Sequence, residues 1–391
     1  MDPSRGTTAH SSESSSHSLE ANFGLQTPFT LMHGRRYLRD LPYPLPCDLL
    51  ELQRQNLFTH LATSIFGTPI CCPSLIQRPP RRVLEVACGS GYWSSLCHEL
   101  FSGLGHPNVE FVGLDIVSVA PNLSKHGMNW RFVQHDLREV PLPFDDGDFD
   151  LVLLKDLSIV VPMGIPSDRM LDEALRVLRP GGTLEWWEND YQLRTLMPHP
   201  RPSAARHKRP SDLDQAITTG TFVITPATPF AARVENKYLQ EYNMWVQRTM
   251  DKRLLAPTPC SRISPTLLQE PDSLTDIDFR RLAVPLGSAN PPRDEADGED
   301  DEATIVAADP NQTRALDSVP LTEEQMALRQ TALQIVVQLI ESLEPLLKES
   351  SGKSGEEWAR WWTWMMADLL ENAGASNGEC LEIGAWWAKK L

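Results

Sequence analysis

The chain has 391 residues, which is enough for one α/β domain with substantial additions. Its formal net charge of −16 at pH 7 would repel a phosphate backbone, so we expect no direct nucleic-acid binding. The seven cysteines form no C-x-x-C pair, and no run of about 20 apolar residues occurs. These features argue against a disulfide framework, a metal site and a membrane span, and they favour the cytoplasm or nucleus.

The N-terminal part is predicted to be a disordered tail followed by a helical cover. Residues 1–28 are rich in Ser, Thr and His and poor in apolar residues, which is typical of disorder. Residues 29–80 form the predicted cover. Its main helix is expected to begin at Asp48, because Glu51 follows at capping-box spacing and the apolar positions up to Ile65 keep a helical period.

Strand and helix signals alternate over residues 81–194. The predicted strands are short apolar runs at 83–87, 111–114, 130–133, 149–154 and 183–187. Before the fifth strand, a helix capped by Ser167 is expected to end at Pro180-Gly181-Gly182. This alternation predicts an α/β fold with a parallel sheet and helices on both faces.

The remaining chain is predicted to contain two insertions and a helical extension. Residues 195–235 lack periodicity and are predicted to be a flexible insertion, whereas 236–286 add a helix and a strand at 279–286. Residues 287–318 contain an acidic run and are predicted to be disordered. Residues 319–391 predict two helices and a final strand at 380–387. The first helix follows a capping box at Thr322, and the second is rich in Trp. The tryptophans favour core packing, with an aromatic cap over an acceptor as the alternative.

The first chemical signal is the turn that follows the first strand of the core. The strand leads into Ala87-Cys88-Gly89-Ser90-Gly91, and a helix begins there. Gly89 and Gly91 let the backbone turn tightly and approach a ligand. A glycine turn at the carboxyl edge of a parallel sheet is where such folds bind nucleotides. On its own, this loop does not distinguish NAD from other nucleotide cofactors.

Carboxylates end the next two strands and narrow the choice of cofactor. Asp115 is placed to accept both ribose hydroxyls of an adenosine, and Asp136 is placed to accept from an adenine amino group. The third small residue that a dinucleotide glycine motif needs is at best Ser94, which disfavours an NAD-binding reductase.

In this order the motifs resemble those of the class I methyltransferases that use S-adenosylmethionine (SAM). Glu85-x-Ala87-x-Gly89-x-Gly91 is similar to that family's acidic-plus-glycine loop, with Ala87 in place of the usual first glycine. We expect this change to be small, because Ala needs only an ordinary backbone conformation. The resemblance implies a Rossmann-like sheet and SAM as cofactor. The cofactor residues that it implies are Glu85, Ala87, Cys88, Gly89, Gly91, Asp115, Ile116, Asp136, Leu137 and Lys155.

The segment before the main N-terminal helix resembles the fungal LaeA-type methyltransferases, which are linked to the regulation of secondary metabolism. The resemblance rests on His33-Gly34-Arg35-Arg36-Tyr37 and Tyr43-Pro44-Leu45-Pro46, although Cys47 stands where that family has Asn. Arg35 or Arg36 is a candidate for the SAM carboxylate, since a guanidinium pairs with a carboxylate bidentately. Tyr37 is a candidate to lie over the cofactor. The alternative is that the arginines lie on the surface and that Tyr37 only packs against neighbouring side chains.

The acceptor is expected beyond the ends of the fourth and fifth strands. Asp156 and Glu188 are candidate bases there. The alternative is that both are solvated carboxylates in loops. The predicted function is methyl transfer from SAM to a small or medium acceptor, either a small molecule or a protein, in fungal secondary metabolism. The rival prediction is a SAM-binding regulatory protein that acts through a protein partner.

Overall fold

The computed structural model describes residues 29–196, 210–225, 230–231, 234–287, 320–371 and 374–391. The predicted tail at 1–28 lies outside these ranges, and so does the predicted acidic insertion at 287–318 except for Gly287.

The N-terminal cover consists of a hairpin and two helices. The hairpin pairs β1 (Phe29–Met32) with β2 (Arg35–Leu38), and it is followed by α1 (Leu49–Phe66) and α2 (Pro73–Gln77). The Asp48 side chain accepts a hydrogen bond from the Glu51 backbone N–H, which confirms the predicted start of α1.

Five parallel strands form the centre of the main sheet. They are β3 (Arg82–Val86), β4 (Glu110–Asp115), β5 (Asn129–Gln134), β6 (Phe149–Lys155) and β7 (Leu178–Asn189). Their spatial order is β5-β4-β3-β6-β7, so the chain crosses over the sheet between β5 and β6. All five predicted strands are therefore confirmed. β3 and β6 are almost wholly buried, as expected for central parallel strands.

The sheet continues beyond β7 with antiparallel strands from the second half of the chain. These are β8 (Arg194–Leu196), β9 (Phe222–Val223), β10 (Phe230–Ala231), β11 (Leu274–Pro285) and β12 (Glu379–Lys390). β12 lies between β7 and β11 and pairs antiparallel with both. The late and final strands predicted from the sequence are thus present, and each is longer than predicted.

Helices cover both faces of the sheet, as predicted. In chain order they are α3 (Tyr92–Gly103), α4 (Ile165–Val177), α5 (Pro210–Thr219), α6 (Lys237–Asp251), α7 (Ile263–Leu268), α8 (Glu323–Ser342), α9 (Glu344–Ser351) and α10 (Gly355–Met366). Apolar side chains of α4 and α7 pack on one face, and those of α1, α3, α6 and α8 pack on the other.

Several local predictions were wrong. Ser167 does not cap α4: its hydroxyl donates to the Gly164 carbonyl, and Gly164 is the cap residue. α4 ends at Val177, so Pro180-Gly181-Gly182 lies inside β7. The stretch 195–235 contains the helix α5, whose apolar positions are too few to give a readable period. The apolar stripe at 336–347 is divided between α8 and α9, because Pro345 lacks the N–H that a continuous helix requires.

Four of the six tail tryptophans are buried in the core, namely Trp358, Trp361, Trp386 and Trp387. Trp358 and Trp361 on α10 lie against Trp245 of α6, with ring centroids 5.8 and 4.8 Å apart, and both are buried. None of the six tail tryptophans contributes to the cavity described below. The structure therefore favours the packing interpretation over the aromatic cap.

None of the helices in the described ranges combines the length and apolar content needed to cross a membrane. Across the same ranges, no three His, Cys, Asp or Glu side chains are grouped to hold a metal ion.

Candidate functional site

A cavity of about 470 Å³ lies where the carboxyl ends of β3 to β7 meet α1. Parallel strands present their carboxyl ends at one edge, which is where α/β sheets bind ligands. Ten predicted residues line this cavity. They are Glu85, Ala87, Cys88, Gly89, Asp115, Ile116, Asp136, Leu137, Lys155 and Asp156. Gly91, Arg35, Tyr37 and Glu188 do not line it.

The turn after β3 is tighter than expected. Ala87 and Gly89 have φ of +55° and +51°, both in the left-handed region that favours glycine. The expectation that Ala87 adopts an ordinary backbone conformation was therefore wrong. Gly91 also has a positive φ, and a Cβ on it would lie 3.1 Å from both Leu123 and Trp130. Gly91 thus serves the packing of the turn rather than the cavity wall.

We expect Ala87→Gly to raise the free energy of unfolding by about 0.5–1 kcal/mol. Glycine adopts a positive φ without steric cost, and this gain outweighs the larger chain entropy that glycine loses on folding. Ala87→Val should instead destabilise, by at least about 1 kcal/mol, because its Cβ is branched. Urea unfolding of the two variants and the parent checks this. A less stable Ala87→Gly variant would show that the turn carries no strain.

Asp115 ties the end of β4 to the glycine turn. Its Oδ2 accepts from the Gly89 backbone N–H at 2.8 Å, and its Oδ1 accepts from the Val117 N–H at 3.2 Å. Burial raises the pKa of Asp115, and these hydrogen bonds oppose the increase. A carboxylate held in this way has a fixed orientation at the cavity wall.

Asp136 follows β5 and is paired with an arginine. Arg138 donates from Nη2 to Asp136 Oδ2 at 2.7 Å and from Nη1 to the Asp40 carbonyl at 3.2 Å. Burial alone would raise the pKa of Asp136, but the Arg138 hydrogen bonds outweigh it and lower the pKa. Leu137 lines the cavity beside this ion pair.

Glu85 is a buried carboxyl group at the inner wall. Ser94 Oγ donates to Glu85 Oε2 at 2.5 Å. Burial raises the pKa of Glu85 to about 7, although the Ser94 hydrogen bond and the nearby Lys155 ammonium act in the opposite direction. Glu85 therefore changes charge near neutral pH, where the residue can respond to a cationic ligand.

We expect SAM affinity to increase as pH rises from 6 to 8, by up to about tenfold, because SAM carries cationic groups and favours the ionised form of Glu85. Binding should correspondingly lower the pKa of Glu85. Calorimetric titrations with SAM across this range test the expectation. In Glu85→Gln the affinity should be weaker and the pH dependence lost, so a pH profile that survives this change would assign the effect to another group.

α1 supplies polar side chains that the sequence analysis missed. Asn56 Oδ1 accepts from Ser90 Oγ at 2.6 Å, and Gln55 Nε2 donates to the Tyr43 hydroxyl at 3.1 Å. Arg54 lines the cavity and forms a buried ion pair with Glu51 at 2.6 Å through Nη2. The helical period predicted α1 itself, but which side chains meet the glycine turn depends on how the cover packs.

Arg35 and Tyr37 have roles in packing rather than in the cavity. Arg35 pairs bidentately with Asp48, at 2.5 Å from Nε and 2.8 Å from Nη2. The Tyr37 hydroxyl donates to the Ser342 carbonyl at 2.8 Å, which joins the hairpin to α8. The structure therefore does not bring these residues to the predicted cofactor contacts. Of the arginines in the N-terminal cover, Arg54 and not Arg35 lines the cavity.

The two candidate bases occupy different environments. Asp156 lines the cavity in a left-handed backbone conformation and forms an ion pair with Lys155. Glu188 is buried behind it, where its Oε1 accepts from the Ser158 N–H and hydroxyl and from Trp186 Nε1. Burial and the Asp156 charge raise the pKa of Glu188 to about 8. Because Glu188 does not line the cavity, its prediction as a base there was wrong.

Residues 83–182 match the family model described as "Methyltransferase domain". This range covers β3 to the first part of β7 and contains the glycine turn, Asp115 and Asp136. The chain contains a methyltransferase domain. S-adenosylmethionine is its cofactor, in agreement with the prediction, and the NAD alternative is set aside.

Curated relatives include both regulators and lipid methyltransferases. The secondary metabolism regulator laeA of Aspergillus niger is 30% identical over 172 residues, 41% of each chain. The fatty-acid O-methyltransferase of Mycolicibacterium smegmatis is 38% identical over 105 residues, 26% of this chain and 35% of that protein. The phthiotriol/phenolphthiotriol dimycocerosates methyltransferase of Mycobacterium tuberculosis is 37% identical over 152 residues, 37% of this chain and 48% of that protein. The chain thus spans less than half the length of these relatives.

Proposed function

We propose that the chain transfers a methyl group from SAM to a small or medium, partly apolar acceptor. One observation carries this proposal: a single cavity is bordered by the glycine turn, Asp115 and Asp136 on one side and by the ends of β6 and β7 on the other. Cofactor and acceptor can therefore meet in one enclosed volume, as methyl transfer requires.

The cofactor side of the cavity offers a group for each part of SAM. Asp115 would accept the ribose hydroxyls, and Asp136 with Leu137 would contact the adenine. Glu85 would face the ammonium group and Arg54 the carboxylate, since Nη1 of Arg54 takes no part in the pair with Glu51. Gly89 would allow close approach, because its backbone carries no Cβ there.

The chemistry needs mainly positioning. SAM supplies a methyl group activated by its sulfonium charge, so the chain's own residues have to align an acceptor in line with that methyl group and exclude water. Lys155 and Asp156 border the acceptor side as an ion pair. Tyr191 also lines the cavity, and burial holds its pKa well above the usual value, so its hydroxyl remains a hydrogen-bond donor.

A second candidate is a SAM-binding regulator that acts through a protein partner in fungal secondary metabolism. The similarity to laeA regulators supports it. A groove between α6 and α10 supports it as well, because Trp364 and Met244 are 60% and 49% exposed there.

The test is incubation of the full chain with methyl-labelled SAM and a fungal metabolite extract. We expect release of S-adenosylhomocysteine and label in an extracted small molecule, and neither with the Asp115→Ala variant. SAM binding without label transfer to any fraction, together with a co-purifying protein, would favour the regulator. Failure to bind SAM would reject both candidates.

A further inference from the structure

The groove between α6 and α10 is lined by one face of each helix. Its lining positions include Lys237, Met244 and Arg248 on α6, and Arg360 and Trp364 on α10. These positions are four or seven residues apart, so they lie on one side of each helix. Trp364 and Met244 are 60% and 49% exposed, so each helix leaves apolar surface open in the groove. A ligand that covers this surface removes it from water.

Three cations of this groove have no carboxylate partner in the described part of the chain. Lys237, Arg248 and Arg360 are exposed and form no ion pair there. The other cations that line the groove, Arg194 and Lys353, already face carboxylates. The whole chain has a net charge of −16, so the charge of this patch is opposite in sign to that of the protein. Such a patch attracts an acidic ligand.

The carboxylates of the groove are engaged in the fold. Glu241 accepts from Trp361 Nε1 at 2.7 Å, and Glu357 Oε2 accepts from the Ser354 backbone N–H at 2.8 Å at the start of α10. Glu241 and Glu357 are the only acidic side chains among the described residues that line the groove. The groove therefore keeps a positive charge that a ligand from elsewhere can neutralise.

The chain leaves the described fold beside the N-terminal end of α6. The described residues are interrupted after Gly287, where a Cβ would lie 2.3 Å from the Ala375 carbonyl oxygen. The carbonyl of the preceding residue, Gly374, accepts from Asn236 Nδ2 at 2.7 Å. Asn236 caps α6 and immediately precedes Lys237. The segment that follows Gly287 therefore begins close to the first cation of the groove.

The sequence after Gly287 complements this groove. Seven of the nine residues in 294–302 are acidic, and the apolar pair Ile305-Val306 follows them. The acidic run begins seven residues after Gly287, and seven extended residues span about 23–25 Å. The face of α6 from Lys237 to Arg248 is only about 16–17 Å long. The acidic run is therefore long enough and close enough to reach every cation of the groove.

We propose that the groove between α6 and α10 binds the chain's own segment 294–306. The acidic run pairs with the three unpaired cations, and Ile305-Val306 covers the exposed surface of Trp364 and Met244. Because the segment is tethered, its effective concentration at the groove is about millimolar, so individually weak surface ion pairs suffice. A protein partner that uses the same groove has to displace this segment. The contact does not depend on methyl transfer, because the described residues that line the groove and the cofactor cavity do not overlap.

The experiment measures whether the segment already occupies the groove in the full chain. A fluorescent peptide of residues 290–307 is titrated with the parent protein and with a full-length variant whose acidic residues in 294–302 are replaced by Asn or Gln. We expect the variant to bind the peptide at least about tenfold more tightly, because the parent's own segment competes for the groove. Equal affinity would show that the segment does not occupy the groove, and no binding to either protein would show that the groove does not accept it. Both results would overturn the proposal.

Substitutions in the neutralised variant locate the contact. Arg248→Gln and Arg360→Gln should each weaken peptide binding about twofold to fivefold, and Trp364→Ala about tenfold. The matched control is Arg131→Gln, an exposed arginine on β5 outside the groove, which should change nothing. Urea unfolding like that of the parent shows that each variant is folded. Peptide binding that none of the three groove substitutions weakens would place the peptide elsewhere and reject the groove as its site.

Discussion

Replacing Asp115 with alanine is expected to weaken SAM binding about 100-fold or more. The carboxylate would accept from two ribose hydroxyls, and hydrogen bonds to a charged group contribute about 1.5–3 kcal/mol each. About 1.4 kcal/mol corresponds to a tenfold change in affinity. The change also removes the acceptor for the Gly89 N–H, so the glycine turn loses a contact that orients it. Calorimetric titration of both proteins with SAM measures the effect.

Two further variants separate the charge of Asp115 from its shape. Asp115→Asn keeps the side-chain volume and one acceptor oxygen, so we expect an intermediate loss. Asp172→Ala removes an exposed carboxylate on α4 and should bind SAM like the parent protein. Asp115→Ala with an affinity within threefold of the parent would contradict the proposed ribose contact.

Glu188→Gln is expected to stabilise the fold at pH 8 by about 1–3 kcal/mol. The pKa of Glu188 is raised from 4.5 to about 8, so between these pH values the folded state binds more protons than the unfolded state. Stability from this group is therefore present at low pH and lost as pH rises through that window. Gln keeps an oxygen for Ser158 and Trp186 but cannot ionise, so it avoids the cost of a buried charge.

Urea unfolding at pH 5.5 and pH 8 tests this expectation. The stabilisation by Glu188→Gln should be clearly larger at pH 8 than at pH 5.5. Glu99→Gln, which removes an exposed carboxyl group on α3, is the matched control and should have little effect at either pH. An equal difference between Glu188→Gln and the parent at both pH values would mean that folding does not raise the pKa of Glu188.

The sheet and the positions of the two carboxylates at its edge were predictable because they depend on local sequence. Central parallel strands appear as short apolar runs, and a residue that ends such a strand must lie at the ligand-binding edge. That rule and the family resemblance together predicted that Asp115 and Asp136 lie at the cavity wall, where the structure places them. The helix α1 was predictable for a similar reason, since Asp48 and the apolar period mark its start and its course.

Other site residues could not be predicted, because their positions depend on contacts between distant segments. Arg35 and Arg54 both belong to the N-terminal cover, but Arg35 pairs with Asp48 outside the cavity while Arg54 pairs with Glu51 at the cavity wall. Glu188 lies near the end of β7 as Asp156 lies near the end of β6, but Ser158 and Trp186 enclose Glu188. The positive φ of Ala87 has no signature in a sequence that lacks the usual glycine.

The position of β12 has a consequence for synthesis on the ribosome. β7 is made about 190 residues before its antiparallel neighbour, so its outer edge has no partner until residues 379–390 have emerged. During that interval an apolar edge that includes Trp186 and Trp187 is open to pairing with other nascent chains. Chaperone dependence should therefore be strongest late in translation. A fragment cut after residue 194 should aggregate even though it contains every residue of the matched domain.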